Sequence, residues 1–124
     1  CETLPLPETI ARICPRPCEI NCIRSHKDNA INIAQLRIFL AQNQKILINK
    51  KKIKTEIKIK NNTDKKICII GGGPAGICSA YFLNKFGHKI FIYDSMPQMG
   101  GMLRYGIPDH RLPKEVLDRE IDFL

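Results

Sequence analysis

The spacing of hydrophobic positions changes twice along this chain. From residue 5 to 42, apolar side chains recur at helical intervals in short runs broken by proline and cysteine, which predicts short helices joined by a cysteine-bearing turn. In "DNAINIAQLRIFLAQNQ", Ile31, Ala34, Gln35 and Ile38 share one face and Ile33, Leu36 and Leu40 a neighbouring one. With Asp28 or Asn29 as its cap, that helix is expected to be buried around much of its circumference. A lysine-rich stretch follows, in which Ile53, Ile57 and Ile59 alternate with Lys in a pattern compatible with an exposed strand.

From Lys66 the pattern becomes strand, turn, helix, strand. "KICII" is a short apolar run of the buried parallel type, "GGGPAG" a turn, and "ICSAYFLNKF" a helix that Gly87 can end in the left-handed conformation. "HKIFIYD" is a second strand closing on an acid, so the segment predicts a right-handed βαβ unit and an α/β class. Beyond the loop "SMPQMGGMLRYGIPDHRL", Pro113 is placed as the first residue of another helix, with Glu115 in its positive first turn. Val116, Leu117, Ile121 and Leu124 form the apolar face of that helix.

The turn after the first strand carries the chemistry. Gly71, Gly73 and Gly76 spell G-x-G-x-x-G directly after a strand and at the opening of a helix, with Gly72, Pro74 and Ala75 between them. Glycine is needed for the tight turn, for close approach of backbone to a pyrophosphate, and for helix-to-strand packing. Unpaired N–H groups at the helix start face the anion, reinforced by the helix dipole. Asp94 follows Gly76 by eighteen residues at the end of the second strand, where a carboxylate can accept ribose hydroxyls. That acid disfavours NADP at this loop and leaves FAD and NAD both open.

Composition narrows the setting. Hydrophobic residues are 44% of 124, and no apolar run reaches the roughly 18–20 residues of a membrane span. No secretory leader is visible. The chain opens on Cys1 instead of Met and "EVLDREIDFL" stops with its helical pattern still running, so the sequence is read as a fragment. The net charge of +8 is concentrated in residues 45 to 60, with seven Lys and one Glu. Without interleaved aromatics, that run reads as a solvated linker and not as a nucleic-acid surface.

Six cysteines remain to be placed. Cys68 and Cys78 lie in apolar patterns and are expected to be buried structural thiols. Cys14, Cys18 and Cys22 stand at even four-residue steps in "ICPRPCEINC". Their types and spacing leave open a disulfide framework, a metal site such as zinc completed by His26, and simple structural thiols. A disulfide fits least if the chain carries redox cofactors in a reducing compartment.

The quoted motifs add up to a resemblance. "GGGPAGICSAYFLNKFGHKIFIYDSMPQMGGMLRYGIPDHRLPKEVLDREI" resembles the FAD-binding segment of the flavoprotein group that includes the glutamate synthase small subunit and the N-terminal part of dihydropyrimidine dehydrogenase. "LPETIARICPRPCEINCIRSHKDNAINIAQLRIF" resembles the cysteine-rich helical region preceding that segment in the same proteins. The resemblance covers nearly the whole chain in the family's order, apart from the lysine-rich stretch. It implies FAD contacts from Gly71 to Ala75, from Asp94, from Gly100, Gly101 and Met102, and from Arg111. Gly100 and Gly101 would let backbone approach the pyrophosphate, while Arg111 would offer a fork of donors. An exposed ion pair is the other reading of Arg111. The family usually has Glu where this chain has Asp94, one methylene longer.

The same resemblance implies two [4Fe-4S] clusters, with Cys14 and Cys18 serving one and Cys22 the other. The earlier ligands would precede residue 1. Where some relatives use Gln or Glu as a ligand, this chain has Arg37 in register, and a guanidinium cannot ligate iron. Gln35 or an upstream residue would then supply the bond, or that cluster is absent. Cys1 has no clear counterpart.

The expected architecture is therefore α/β: a helical cysteine-rich region at 1–44, a lysine-rich linker at 45–65, and the first βαβ half of a Rossmann-like FAD-binding domain at 66–124. The resemblance implies an electron-transfer flavoprotein oxidoreductase in the cytoplasm. NAD(P)H would reduce FAD, and electrons would leave through iron-sulfur clusters to a larger catalytic or electron-accepting subunit or domain. The fragment alone is not expected to turn over. Tyr93, Tyr105, His88 and His110 read as structural or surface residues. A NAD-dependent dehydrogenase segment and a non-catalytic assembly module are the competing classes.

Overall fold

The computed structural model describes residues 4–43 and 63–124. The described residues from Leu6 to Asn43 form one unit, and those from Thr63 to Leu124, with Leu4 and Pro5, form the other. The lysine-rich alternation around Ile53 to Ile59 lies outside the described residues, as does Cys1.

In the N-terminal unit, α1 (Pro7–Ile13) opens on proline, whose missing N–H costs nothing at a helix start. It is followed by α2 (Pro17–Ile20), a 3-10 turn (Ile23–His26) and α3 (Ile33–Gln42). Helices α1 and α3 pack on each other. The Glu8 carboxylate, almost fully buried, accepts from Arg12 Nε and Nη2 at 3.0 and 2.8 Å and from Gln42 Nε2 at 3.0 Å, which ties the two helices together.

Two expectations for α3 are corrected. Its cap is Asn32, whose side chain accepts the Gln35 N–H; Asp28 is instead engaged by Arg24. Among its residues only Ala34 is fully buried, while Leu36, Phe39 and Leu40 are exposed. Among the described residues the element packed on it is α1, which covers one stripe and leaves the second apolar stripe exposed there.

In the C-terminal unit, β1 (Lys66–Ile70), α4 (Pro74–Lys85) and β2 (Lys89–Tyr93) form the βαβ unit, with the strands parallel and Cys68 paired to Phe91 and Ile70 to Tyr93. Gly87, at φ 88°, carries the chain out of α4 as its sequence position implies. The alternate residues Ile67, Ile69, Ile90 and Ile92 are half-buried; a β-carbon on Gly76 would meet Ile69 at 3.4 Å, which places that row against α4. The opposite row carries Cys68, Ile70, Phe91 and Tyr93, all exposed. Cys68 is thus not a buried thiol: strand periodicity turns it to the face that no described element covers. Cys78 is partly buried, and burial raises its pKa.

The loop after β2 contains a helical turn, α5 (Met102–Tyr105), where the sequence suggested irregular chain. Helix α6 (Lys114–Phe123) starts one residue later than expected, with Pro113 at its cap position and Glu115 in the first turn. Leu103, Leu112, Val116 and Leu117 supply a buried apolar cluster of this unit.

Candidate cofactor sites

The glycine turn is shaped by backbone contacts that side chains would forbid. Gly71 has φ 102° and donates its N–H to the Tyr93 carbonyl at 2.7 Å, stitching the turn to the end of β2. A β-carbon on Gly76 would fall 1.9 Å from the Gly71 carbonyl oxygen, so the third glycine is required by the approach of α4 to the turn. Gly73 caps α4 in an extended conformation and Pro74 is its first residue. The first-turn amides of Ala75 and Gly76 have no carbonyl one turn back, which leaves donors for an anion at the helix start.

The second glycine pair joins the first. Gly100 N–H donates to the Gly72 carbonyl at 2.8 Å, and a β-carbon on Gly101 would stand 2.8 Å from the Gly73 α-carbon. Gly100 and Gly101 have φ of 126° and 50°, which favours glycine at both.

Asp94 closes the same cradle. Its Oδ2 accepts the Gly72 N–H at 2.5 Å and its Oδ1 the Met96 N–H at 2.7 Å. The amides of Met96 and Gly72, in that order, hold its pKa below the usual carboxylate value; burial opposes them, and the Ser95 amide adds a lesser pull in their direction. Each carboxylate oxygen keeps a second lone pair, so a ribose hydroxyl can still be accepted. This clamp is a role that spacing alone did not reveal.

Met102 follows the second pair at the start of α5 and is 71% exposed. Arg111 lies in the turn leading to α6, with an exposed side chain and its amide bonded to the Pro108 carbonyl at 3.0 Å. Sequence reasoning missed Arg104. Its Nε donates to the Met99 carbonyl at 2.6 Å and its Nη2 bonds Asp118, which fastens the loop before Gly100 to α6. The glycine cradle, the helix start and the pinned acid fit the pyrophosphate and ribose of a dinucleotide. An apolar cavity of about 260 Å³, lined by residues such as Ile77, Tyr81, Ile90 and Leu124, carries no charged group and does not suit a phosphate.

In the N-terminal unit, Cys14 caps the end of α1, Cys18 lies in α2 and Cys22 precedes the 3-10 turn. Cys14 Sγ accepts the Arg16 N–H at 3.4 Å. Amides of Ile31 and Arg24 lower the Cys22 pKa most, Ser25 and the Arg24 charge add to this, and burial opposes it. N–H groups aimed at sulfur favour the thiolate, the form that binds iron, so the donors fit cluster ligation. Among the described residues no three His, Cys, Asp or Glu side chains gather as a metal site, so Cys14, Cys18 and Cys22 do not form one with each other or with His26. In α3, Gln35 is exposed and Arg37 half-buried.

Comparison with known proteins adds to this geometry. Residues 1–61 match the family described as dihydropyrimidine dehydrogenase domain II, 4Fe-4S cluster, and residues 69–121 match the NAD(P)-binding Rossmann-like domain. The matches follow one another along the chain, a 4Fe-4S family first and a dinucleotide-binding one second. By these matches and its relatives, the chain is similar to the group that includes the glutamate synthase small subunit and the dihydropyrimidine dehydrogenase type.

The NADPH-Fe(3+) oxidoreductase subunit beta of Geobacter sulfurreducens is 36% identical over 125 residues, covering 99% of this chain and 18% of that protein. The glutamate synthase [NADPH] small chain of Bacillus subtilis is 36% identical over 122 residues, covering 95% and 23%. The NAD-dependent dihydropyrimidine dehydrogenase subunit PreT of Salmonella typhimurium is 40% identical over 116 residues, covering 90% and 26%. The chain thus spans between 18% and 26% of the length of these relatives. No helix among the described residues is long and apolar enough to cross a membrane.

Proposed function

We propose that this chain is a portion of a cytoplasmic, FAD-dependent NAD(P)H oxidoreductase that passes electrons between a flavin and [4Fe-4S] clusters. Residues 1–44 are assigned to the cluster region, 45–65 to a linker and 66–124 to FAD binding. In this reading Gly71, Gly72, Gly73, Pro74, Ala75 and Gly76 cradle the pyrophosphate, and Asp94 accepts the ribose. Gly100, Gly101 and Met102 border the flavin nucleotide, and Arg111 supplies charge-assisted donors. Cys14 and Cys18 ligate one cluster and Cys22 the other, with further ligands from polypeptide outside this chain.

The flavin, when bound, supplies hydride acceptance and single-electron release. The residues here bind and orient it, and none is placed as an acid, base or nucleophile. A larger subunit or domain takes the electrons, and the chain by itself is not expected to turn over.

The observation that carries this reading is the contact of the two glycine segments, Gly72 with Gly100 and Gly73 with Gly101, beside the Asp94 clamp. It accompanies a cysteine turn whose amides favour thiolate. The Rossmann-like match supports a second reading, in which NAD sits directly on the Gly71 to Gly76 loop.

The test is anaerobic purification of the full-length protein, a visible spectrum, identification of released flavin, and iron and acid-labile sulfide assays. FAD with iron and sulfide is expected. A colourless protein that binds NAD at this loop would replace the reading with a nicotinamide-dependent dehydrogenase. Protein with neither iron nor dinucleotide would point to an assembly module.

A further inference from the structure

The link between the cysteine turn and α3 runs through an acid adjacent to Cys18. Between Cys14 and Cys18 the sequence is Pro-Arg-Pro, so Arg16 has the one backbone N–H of that triplet. That N–H goes to Cys14 Sγ. Arg16 adopts φ 61° and ψ 43°, a left-handed conformation that side-chain-bearing residues avoid. Its carbonyl accepts from the amides of Glu19 and Ile20 at 3.0 and 3.3 Å, which starts the α2 turn. Its guanidinium Nη1 lies 3.9 Å from Glu19 Oε2.

The other oxygen of Glu19 reaches across the unit. Oε1 accepts the N–H of Ala34, in the first turn of α3, at 2.7 Å, and the Glu19 side chain is only 17% exposed. Helix α3 already has a local cap in Asn32. The Glu19 bond is therefore a tertiary tie in addition to that cap, and it fastens the segment between Cys18 and Cys22 to the helix. A carboxylate next to thiolate ligands is electrostatically costly unless it is turned away and compensated. The α3 N-terminus and Arg16 supply that compensation.

We propose that Glu19 is a positioning residue for the iron-sulfur ligands, holding the Cys18 to Cys22 turn against α3 and so fixing where those thiolates are presented. The proposal rests on the cluster reading given above. It assigns Glu19 no bond to iron.

The test uses the full-length protein purified anaerobically as wild type, Glu19→Ala, Glu19→Gln and Asn32→Ala. Iron, acid-labile sulfide and FAD per chain are measured, with EPR spectra of the dithionite-reduced samples. Glu19→Ala is expected to lose at least half of its iron and sulfide and to alter the reduced signal, while FAD per chain stays at the wild-type level. Glu19→Gln, which keeps an oxygen acceptor for Ala34, is expected to retain iron. Asn32→Ala removes the local cap but not the tie, and is also expected to retain it.

Full iron with an unchanged signal in Glu19→Ala overturns the proposal. Iron loss in Asn32→Ala equal to that in Glu19→Ala overturns it too, since capping alone would then explain the effect, and so does iron loss in Glu19→Gln. Should Glu19→Ala fail to accumulate, Glu19→Asp replaces it: the shorter side chain should lose iron, and full iron there overturns the proposal. A wild-type protein without iron would instead defeat the cluster reading itself.

Discussion

Gly101 meets Gly73 backbone to backbone, so that a β-carbon on Gly101 would stand 2.8 Å from the Gly73 α-carbon. Gly101 also has φ 50° and ψ −129°, a region essentially closed to other residues. Gly101→Ala should therefore cost about 1–3 kcal/mol from backbone strain, with the steric conflict in addition. The expected result in the full-length protein is a lower unfolding temperature and loss of bound FAD, read from the visible spectrum.

Gly76 and Gly71 separate two ways in which glycine is required. A β-carbon on Gly76 would fall 1.9 Å from a backbone oxygen, whereas one on Gly71 meets nothing within 4 Å but sits at φ 102°. Gly71→Ala should cost about 1–2 kcal/mol through its backbone conformation alone. Gly76→Ala should cost more, because α4 must move off the turn. Chemical denaturation of the two variants side by side tests the order, and equal stabilities would contradict it.

The Asp94 clamp makes stability depend on pH in a defined direction. Because amides hold the folded pKa below its ordinary value, the stabilisation is present above the unfolded-state pKa and is lost as pH falls through the folded one. Asp94→Asn should be less stable than wild type at neutral pH, since its amide NH2 opposes one of the two bonded N–H groups. The gap should narrow as pH falls into the acid range. Thermal unfolding of both proteins over a pH series decides this, and a constant gap would count against the clamp.

Cys22 and Cys78 should differ in reactivity once metal is removed. Backbone amides lower the Cys22 pKa and burial raises that of Cys78. Alkylation by iodoacetamide follows the thiolate, so Cys22 should be modified at lower pH than Cys78. Peptide mapping of the metal-free protein across a pH range measures the order.

Arg104 is 9% exposed at its side chain and Asp118 50%. Removing the guanidinium takes away both the donor to the Met99 carbonyl and the partner of Asp118, whereas Asp118→Asn weakens only an exposed ion pair, which contributes about 0–1 kcal/mol. Arg104→Met should thus weaken FAD retention more than Asp118→Asn. Flavin release during dilution and gel filtration compares them.

Local sequence was enough to determine the βαβ unit and its turn. Strand and helix periods, the Gly71, Gly73 and Gly76 spacing, the stop at Gly87 and the acid ending β2 are all short-range signals and lie where the local pattern put them, except that α4 starts at Pro74, inside the expected turn. Coverage of faces was decided by tertiary structure. Leu36 and Cys68 sit in apolar patterns yet are exposed, because periodicity says which residues share a face and not whether a neighbour packs there. The bonds from Glu19 to Ala34, Arg104 to Met99, Gly100 to Gly72 and Asp94 to Gly72 likewise required the folded chain. They join backbone groups that every residue carries to side chains or carbonyls brought near only by folding, so no residue type in the sequence marks the backbone partner in advance.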